Sequence, residues 1–457
     1  MDTESVKNLD RGEHSLATTY APSMEYELST FREGRAGQND STRDSSPARS
    51  HTSGSRLRHS EPQEGTTIQE LAPLDRGIRA WTFCACGFVV EMMVWGFLFR
   101  YGIFQDYYTH HPPFNSSSQV AIAAVGTVGL GIQYGEVLFL SVLFRRYPDY
   151  MRTAMWCALV LYFLCLLGSS FATQVWQLIL LQGVGLGFSG GFMYLPVMIL
   201  LPQWFSQRRG LAGGIIFAGT GVGGFVFPFL LNALLNNVGL RWTLRIWAFM
   251  TCVSTGIAFY GVRPRVPMAK FQPGQRRPLA PRMEYFKSPL FLSFSFTCLI
   301  QGLSYFPVSL YIATFTQTVS TPLTATVALS LFNSAGVVGQ VILGYLTDRF
   351  AYPWVMLLSS SGGFSSVWPN AAVDCAGRQP ENADITYAGT AMFKGVSAVI
   401  GPIVSGILLE AGKSSTLGHG YGVAGYGAVE IFVGSCALAT GLGSIVVAAT
   451  RQRLAPT

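Results

Sequence analysis

The chain has 457 residues, of which 49% are hydrophobic and only 12% charged, with a net charge of +7 and a mean hydropathy of +0.34. Soluble domains carry about 25% charged residues, so this balance excludes an ordinary water-soluble protein of this length. A basic pI often signals nucleic-acid binding, but here the positive excess lies in short loops between apolar stretches, where a membrane protein carries it.

Residues 1–74 are rich in Ser, Thr, Gly, Glu and Arg and lack a sustained apolar period, which predicts a disordered cytoplasmic tail. Residues 1–78 hold nine basic and thirteen acidic side chains, so this end is at −4 and the remainder at +11. No apolar stretch follows Met1, and the first span is expected to direct insertion. Apolar stretches of the ~20 residues that cross a bilayer core then fall at about 80–104, 119–144, 153–172, 176–201, 210–235 and 242–262. These define an N-terminal six-helix half over 75–262. A basic linker, 263–288, separates it from a C-terminal half over 289–450, with spans at about 289–315 and 322–346. One apolar piece at about 353–373 follows, then a polar stretch, then spans at about 389–409 and 421–449.

Lys and Arg fix the orientation. The turn after the second span carries Arg145, Arg146 and Arg152, and the turn after the fourth carries Arg208 and Arg209. The linker adds Arg263, Arg265, Lys270, Arg276, Arg277, Arg282 and Lys287, whereas 105–118, 173–175 and 316–321 have no Lys or Arg. The N-terminus and the linker are therefore expected in the cytoplasm, and the sequon at Asn115 outside.

Charged residues inside spans face a cavity or a partner, since each costs roughly 2.5–3.5 kcal/mol to insert. Glu91 and Glu136 are the candidate protonation sites, and Arg100 and Lys394 the candidate contacts for a substrate anion. The alternative for Glu136 and Lys394 is snorkelling near span ends. Asn333, in the middle of its span, either hydrogen-bonds solute or bridges helices. Gly183, Gly187 and Gly191 align on one face and predict a close helix approach, to which Ala212, Gly219 and Gly223 add. Two Gly-x-Gly-x-x-Gly matches, at 185–190 and 219–224, fall inside spans rather than between a strand and a helix, so no dinucleotide site is expected. No Walker lysine, metal-ligand spacing or nucleophile–base arrangement is present in the sequence.

Three stretches carry a family resemblance: Asp75-x-Gly77-x-x-x-Trp81 at the first span, Trp204-Phe205-x-x-Arg208-Arg209-x-Leu211-Ala212-x-Gly214 between the fourth and fifth, and 329–349, which ends in Asp348-Arg349. Together they resemble the major facilitator superfamily, in its monocarboxylate-porter-like branch of fungal type, over about 75–450. The resemblance implies an all-α integral membrane fold, a two-half helical bundle. It further implies a secondary active carrier of a small organic solute, monocarboxylate-like or another organic anion or metabolite, by alternating access and with proton coupling as in the animal symporters. Its partners would be that solute, protons and the lipid bilayer. No cofactor, metal, nucleotide or nucleic acid is implied, nor is an enzyme. The expected location is the plasma membrane, with the vacuolar membrane as alternative.

Two departures stand out. Animal lactate carriers place Asp and Arg one turn apart in the eighth span, where this chain has Gly336 and Gln340, and their first-span lysine aligns near Phe99. The family also has twelve spans, but only about 353–373 is apolar where spans nine and ten belong, so these two are read as fused or truncated, giving about 11–12 spans. A single crossing there would send the C-terminus outside; a re-entrant fold would keep it in the cytoplasm. The shortening also supports a second function, a transport-defective or regulatory membrane protein of the same fold.

Overall fold

A computed structural model describes residues 71–99, 101–268, 271, 277, 283–359, 363–377, 379, 382–414 and 423–454. The predicted tail lies outside the described residues up to residue 70. The described residues contain helices and turns and no strand. The helices are α1 (Ile78–Leu98), α2 (Tyr101–His110), α3 (Gln119–Gly135), α4 (Val137–Arg146) and α5 (Met151–Ser169). Then come α6 (Val175–Leu178), which runs through a π-helical stretch at Ile179–Gly185 into α7 (Leu186–Trp204), and α8 (Arg209–Gly261). The remainder are α9 (Pro289–Val319), α10 (Pro322–Thr347), α11 (Tyr352–Leu358), α12 (Trp368–Ala376), α13 (Ala383–Ser414) and α14 (Gly427–Leu454).

Nine helical stretches among the described residues are long and apolar enough to cross a membrane. One of these, α8, has 53 residues and would measure about 80 Å if straight, far beyond a ~30 Å core. It reverses at Gly239, whose φ of 76° breaks the helix. The reversal is visible in its ends: the Ala212 carbonyl faces the Cys84 thiol at 3.6 Å, and Gly261 packs against Cys86. Both ends of α8 therefore meet the same turn of α1, and the two limbs are the expected fifth and sixth spans. Phe227 and Trp247 pack edge to face between them at 4.6 Å. Among the described residues, nine stretches with one doubled back make ten spans, fewer than the about 11–12 expected.

The apolar piece after α10 does not cross. Helices α11 and α12 have seven and nine residues, about 10 and 14 Å, too short to span. Gly363, at φ 91°, sits at the inward tip, where a Cβ would come within 2.9 Å of the Gly339 backbone in the middle of α10. The outer ends of the pair meet one residue: the Arg451 guanidinium lies 5.2 Å from the Tyr352 ring and 2.6 Å from Asp374 Oδ2. Among the described residues, these two short helices form a re-entrant pair. Consequently α13 starts at the basic face, where Asp384 pairs with Arg145 at 3.1 Å, and α14 returns to it. Of the two alternatives drawn from the sequence, the geometry is that of the one that keeps family orientation.

Small residues set the helix spacing. A Cβ on Gly187 would stand 2.7 Å from the Gly129 carbonyl, so α7 and α3 touch backbone to backbone, as the glycine stripe predicts. The first limb of α8 meets α10 the same way, with Gly210 and Gly214 against Gly344 and the Gln340 carbonyl. Both Gly-x-Gly-x-x-Gly matches lie within helical segments, as expected.

Candidate functional site

The motif residues build the basic face. Asp75, at the entry to α1, accepts N–H donors from Ser206 and Arg208 at 2.9 Å and from Gln207 at 3.1 Å. Its own N–H donates to the Trp204 carbonyl at 3.0 Å. Gly77 takes φ 88° to start α1, and Trp81 meets Phe205 edge-on at 5.3 Å. The Trp204 indole donates to the Arg263 carbonyl at 2.8 Å, which ties the turn to the linker. Asp348 accepts from Gly210 and Leu211 N–H at 2.7 and 2.8 Å, capping the start of α8. Burial raises the Asp348 pKa, opposed by the hydrogen bonds from Leu211, Gly210 and Asn370 and by the nearby Arg209. Arg349 stacks on Tyr345 at 4.6 Å. Ala212 is fully buried against α1, and Arg245 holds Ser170 at 3.1 Å, both packing roles.

A cavity lies in the middle of the helices, lined from α1, α3, α7, α8, α9, α10 and α13. Glu91 from α1, Asn333 from α10 and Lys394 from α13 all line it, 3%, 6% and 5% exposed. Three of the five predicted site residues thus converge. Glu136 does not: its carboxylate lies against Gly191 of α7, away from the cavity. Arg100 lies outside the described residues. Lys394 is not near a helix end, because α13 begins at Ala383 rather than at about 389, placing the lysine three turns in.

Within the cavity Lys394 Nζ donates to Gln301 Oε1 and faces the rings of Phe306, Tyr305 and Phe364 at 5.3, 5.5 and 5.9 Å. Glu91 Oε1 accepts from the Thr220 hydroxyl at 3.0 Å. Asn333 donates back to its own helix, at the Leu329 carbonyl, 2.7 Å away. Gly336 and Gln340 also line the cavity. Below it, the Tyr194 and Tyr387 hydroxyls hydrogen-bond across from α7 to α13. Arg145 binds both Asp384 and Asn382 further down. Sequence reasoning missed Gln301, Thr220 and this tyrosine pair. Gln301 carried the same signal as Asn333, an amide deep in an apolar span; the others carried none. Among the described residues no cluster of His, Cys, Asp or Glu could hold a metal.

A family model described as the Major Facilitator Superfamily matches residues 83–423. An "MFS-type transporter" of Gibberella zeae is 30% identical over 284 residues, which is 61% of this chain and 62% of that protein, under two thirds of its length. The "Aspyridones efflux protein apdF" of Emericella nidulans is 27% identical over 74% of this chain and 73% of its own. Among solved structures, a bacterial homologue of the human lysosomal transporter Spinster, inward-facing and unoccupied, is 14% identical. It covers 82% of this chain and 96% of its own, with a TM-score of 0.46.

Proposed function

The chain belongs to the Major Facilitator Superfamily, and from that premise we propose that it is a secondary carrier moving a small organic solute by alternating access about the central cavity. The observation that carries this reading is the burial of Glu91 and Lys394 in one aromatic cavity among membrane-crossing helices. Lys394, with Gln301 beside it, is the contact for an anionic group of the solute. Glu91 is the group through which a proton couples, and Asn333 borders the same space. The moving bodies are the halves 75–262 and 289–450, joined by the linker 263–288.

Within the monocarboxylate-porter-like branch, the solute we favour is an organic anion other than lactate, because Gly336 and Gln340 carry no charge where the lactate carriers do. A relative named for aspyridone efflux makes export the direction to test first. The plasma membrane is the favoured location over the vacuolar membrane.

The rival reading, a transport-defective or regulatory protein, rests on the shortened segment between α10 and α13. Full-length protein in sealed liposomes separates the two. The expected result is uptake of radiolabelled phenylpyruvate above that of protein-free liposomes and exceeding pyruvate uptake, and loss of that uptake in Lys394→Gln. Equal uptake with and without protein overturns the carrier reading and favours the rival.

A further inference from the structure

The cavity holds two buried groups of opposite sign that do not pair with each other. Lys394 enters from α13 and Glu91 from α1, and no ion pair among the described residues joins them. Lys394 has an amide and three ring faces, a setting that holds a cation in place and leaves its remaining N–H groups for an acid. Glu91 is met by two side-chain donors, the Thr220 hydroxyl at Oε1 and the Trp95 indole, and by no cation among the described residues. Around Glu91 stand aromatic groups: Trp95 one helical turn along, with Tyr134 at 4.7 Å and Tyr194 at 5.3 Å from its ring. A carboxylate beside indole and phenol faces is a setting that recognises an ammonium group.

A solute with an acid group alone would satisfy Lys394 and leave Glu91 to keep its proton, and one with an amine alone would leave Lys394 buried without an acid, which is costly in a low-dielectric site. A solute with both would satisfy both. We propose that the cavity takes a zwitterionic aryl solute, whose carboxylate binds at Lys394 and Gln301 and whose protonated amine binds at Glu91 and Thr220. The ring of the solute lies among Phe306, Tyr305 and Trp95. This deepens the carrier reading and rests on it only in taking the same cavity as the solute site. Glu91 then holds either a proton or the amine, never both, so loading the amine releases a proton from Glu91. The other titratable groups facing Glu91 are Tyr134 from α3, Tyr194 from α7 with its partner Tyr387 from α13, and Lys394 across the cavity.

The test is equilibrium binding to the full chain in lipid nanodiscs with three matched probes: 3-phenylpropionate (acid only), 2-phenylethylamine (amine only) and phenylalanine (both). Phenylalanine is expected to bind at least about tenfold more tightly than either single-charge probe, the scale of one charge-assisted hydrogen bond. Glu91→Gln should remove the advantage over 3-phenylpropionate, and Lys394→Gln the advantage over 2-phenylethylamine. Folding of each variant is read independently from its thermal melting. If 3-phenylpropionate binds as tightly as phenylalanine, or if Glu91→Gln leaves the preference intact in folded protein, the proposal is overturned. Binding of none of the three probes overturns it as well. Phenylpyruvate uptake in liposomes reports separately on the carrier reading, so either can fail without the other.

Discussion

Two regions of this molecule use buried carboxylates in opposite ways. At the basic face Asp75 gathers three backbone N–H donors and Asp348 gathers two, so each charge is met by the chain itself. In the central cavity Glu91 receives no backbone N–H, only the Thr220 hydroxyl and the Trp95 indole. The difference separates groups that hold the fold from groups that wait for a ligand. A satisfied carboxylate is a structural fastener. One that lacks such backbone donors and lines a cavity is open to completion by a ligand.

The comparison breaks first at Asp75. Replacing it with Ala strands three N–H groups in the turn between α7 and α8, each bond to a charged acceptor being worth ~1.5–3 kcal/mol. Asp75→Ala should therefore lower stability by about 3 kcal/mol or more, read as a fall in the thermal midpoint of detergent-purified protein, and Asp75→Asn should recover part of it. An unchanged midpoint in the alanine variant would mean that the carboxylate fastens nothing. Lys394→Gln should have the reverse signature. Phenylpyruvate flux should drop at least about tenfold, the scale of a lost charge-assisted contact, with little change in melting, because a charge in an aromatic box contributes little to the fold.

How far the sequence carried this contrast depends on distance along the chain. The helices were readable because apolar runs of span length are local. The motif residues were readable because their spacing is fixed. Glu91, Asn333 and Lys394 were readable one at a time, since a polar group deep in a span is conspicuous by itself. Their grouping into one cavity was not, because Lys394 finds Gln301 across 93 residues and Glu91 finds Thr220 across 129. No local period encodes such a pairing. Lys394 looked close to a helix end only because the polar run before residue 389 hid the true start of α13 at Ala383. The shortened segment was visible as a shortage of apolar residues, but its re-entrant path depends on Gly363 in the left-handed region and on Arg451 meeting both of its outer ends.

A third measurement asks whether the fasteners at the basic face also hold it shut. Asp348 belongs to the turn after α10 yet caps the start of α8, and Arg145 after α4 binds Asp384 at the start of α13. Each therefore links one set of helices to the other. Asp348→Asn keeps the shape and removes the charge, a change of about 1 kcal/mol and hence about fivefold in the population with this face open. Met198, buried in the crevice that Pro369 and Tyr387 close, is the reporter position. A cysteine introduced there should react several-fold faster with an impermeant maleimide applied to the basic face in the Asp348→Asn background. An equal rate in both backgrounds would limit Asp348 to capping its helix.

The smallest expected effect sharpens the comparison most, because it concerns a carboxylate that looks like Glu91 in sequence and differs in place. Glu136 is also an acid within a span, at the break between α3 and α4, and its carboxylate oxygens are buried against the Gly191 backbone. If a buried carboxylate in a span alone marked the coupling group, Glu136 would qualify as fully as Glu91. It faces Gly191 of α7 and not the cavity, so no solute group can reach it in this arrangement. Glu136→Gln preserves its shape and hydrogen-bonding capacity, and should change phenylpyruvate flux by less than about twofold, the scale of a surface or packing adjustment within about 0.5 kcal/mol. It should also leave the pH profile of flux where it was. Glu91→Gln should flatten that profile, because the group that exchanges its proton is gone. A flattened profile in Glu136→Gln would move the coupling site out of the cavity and onto the α3–α7 contact, and position within the cavity would no longer be what separates a ligand-seeking carboxylate from a merely buried one.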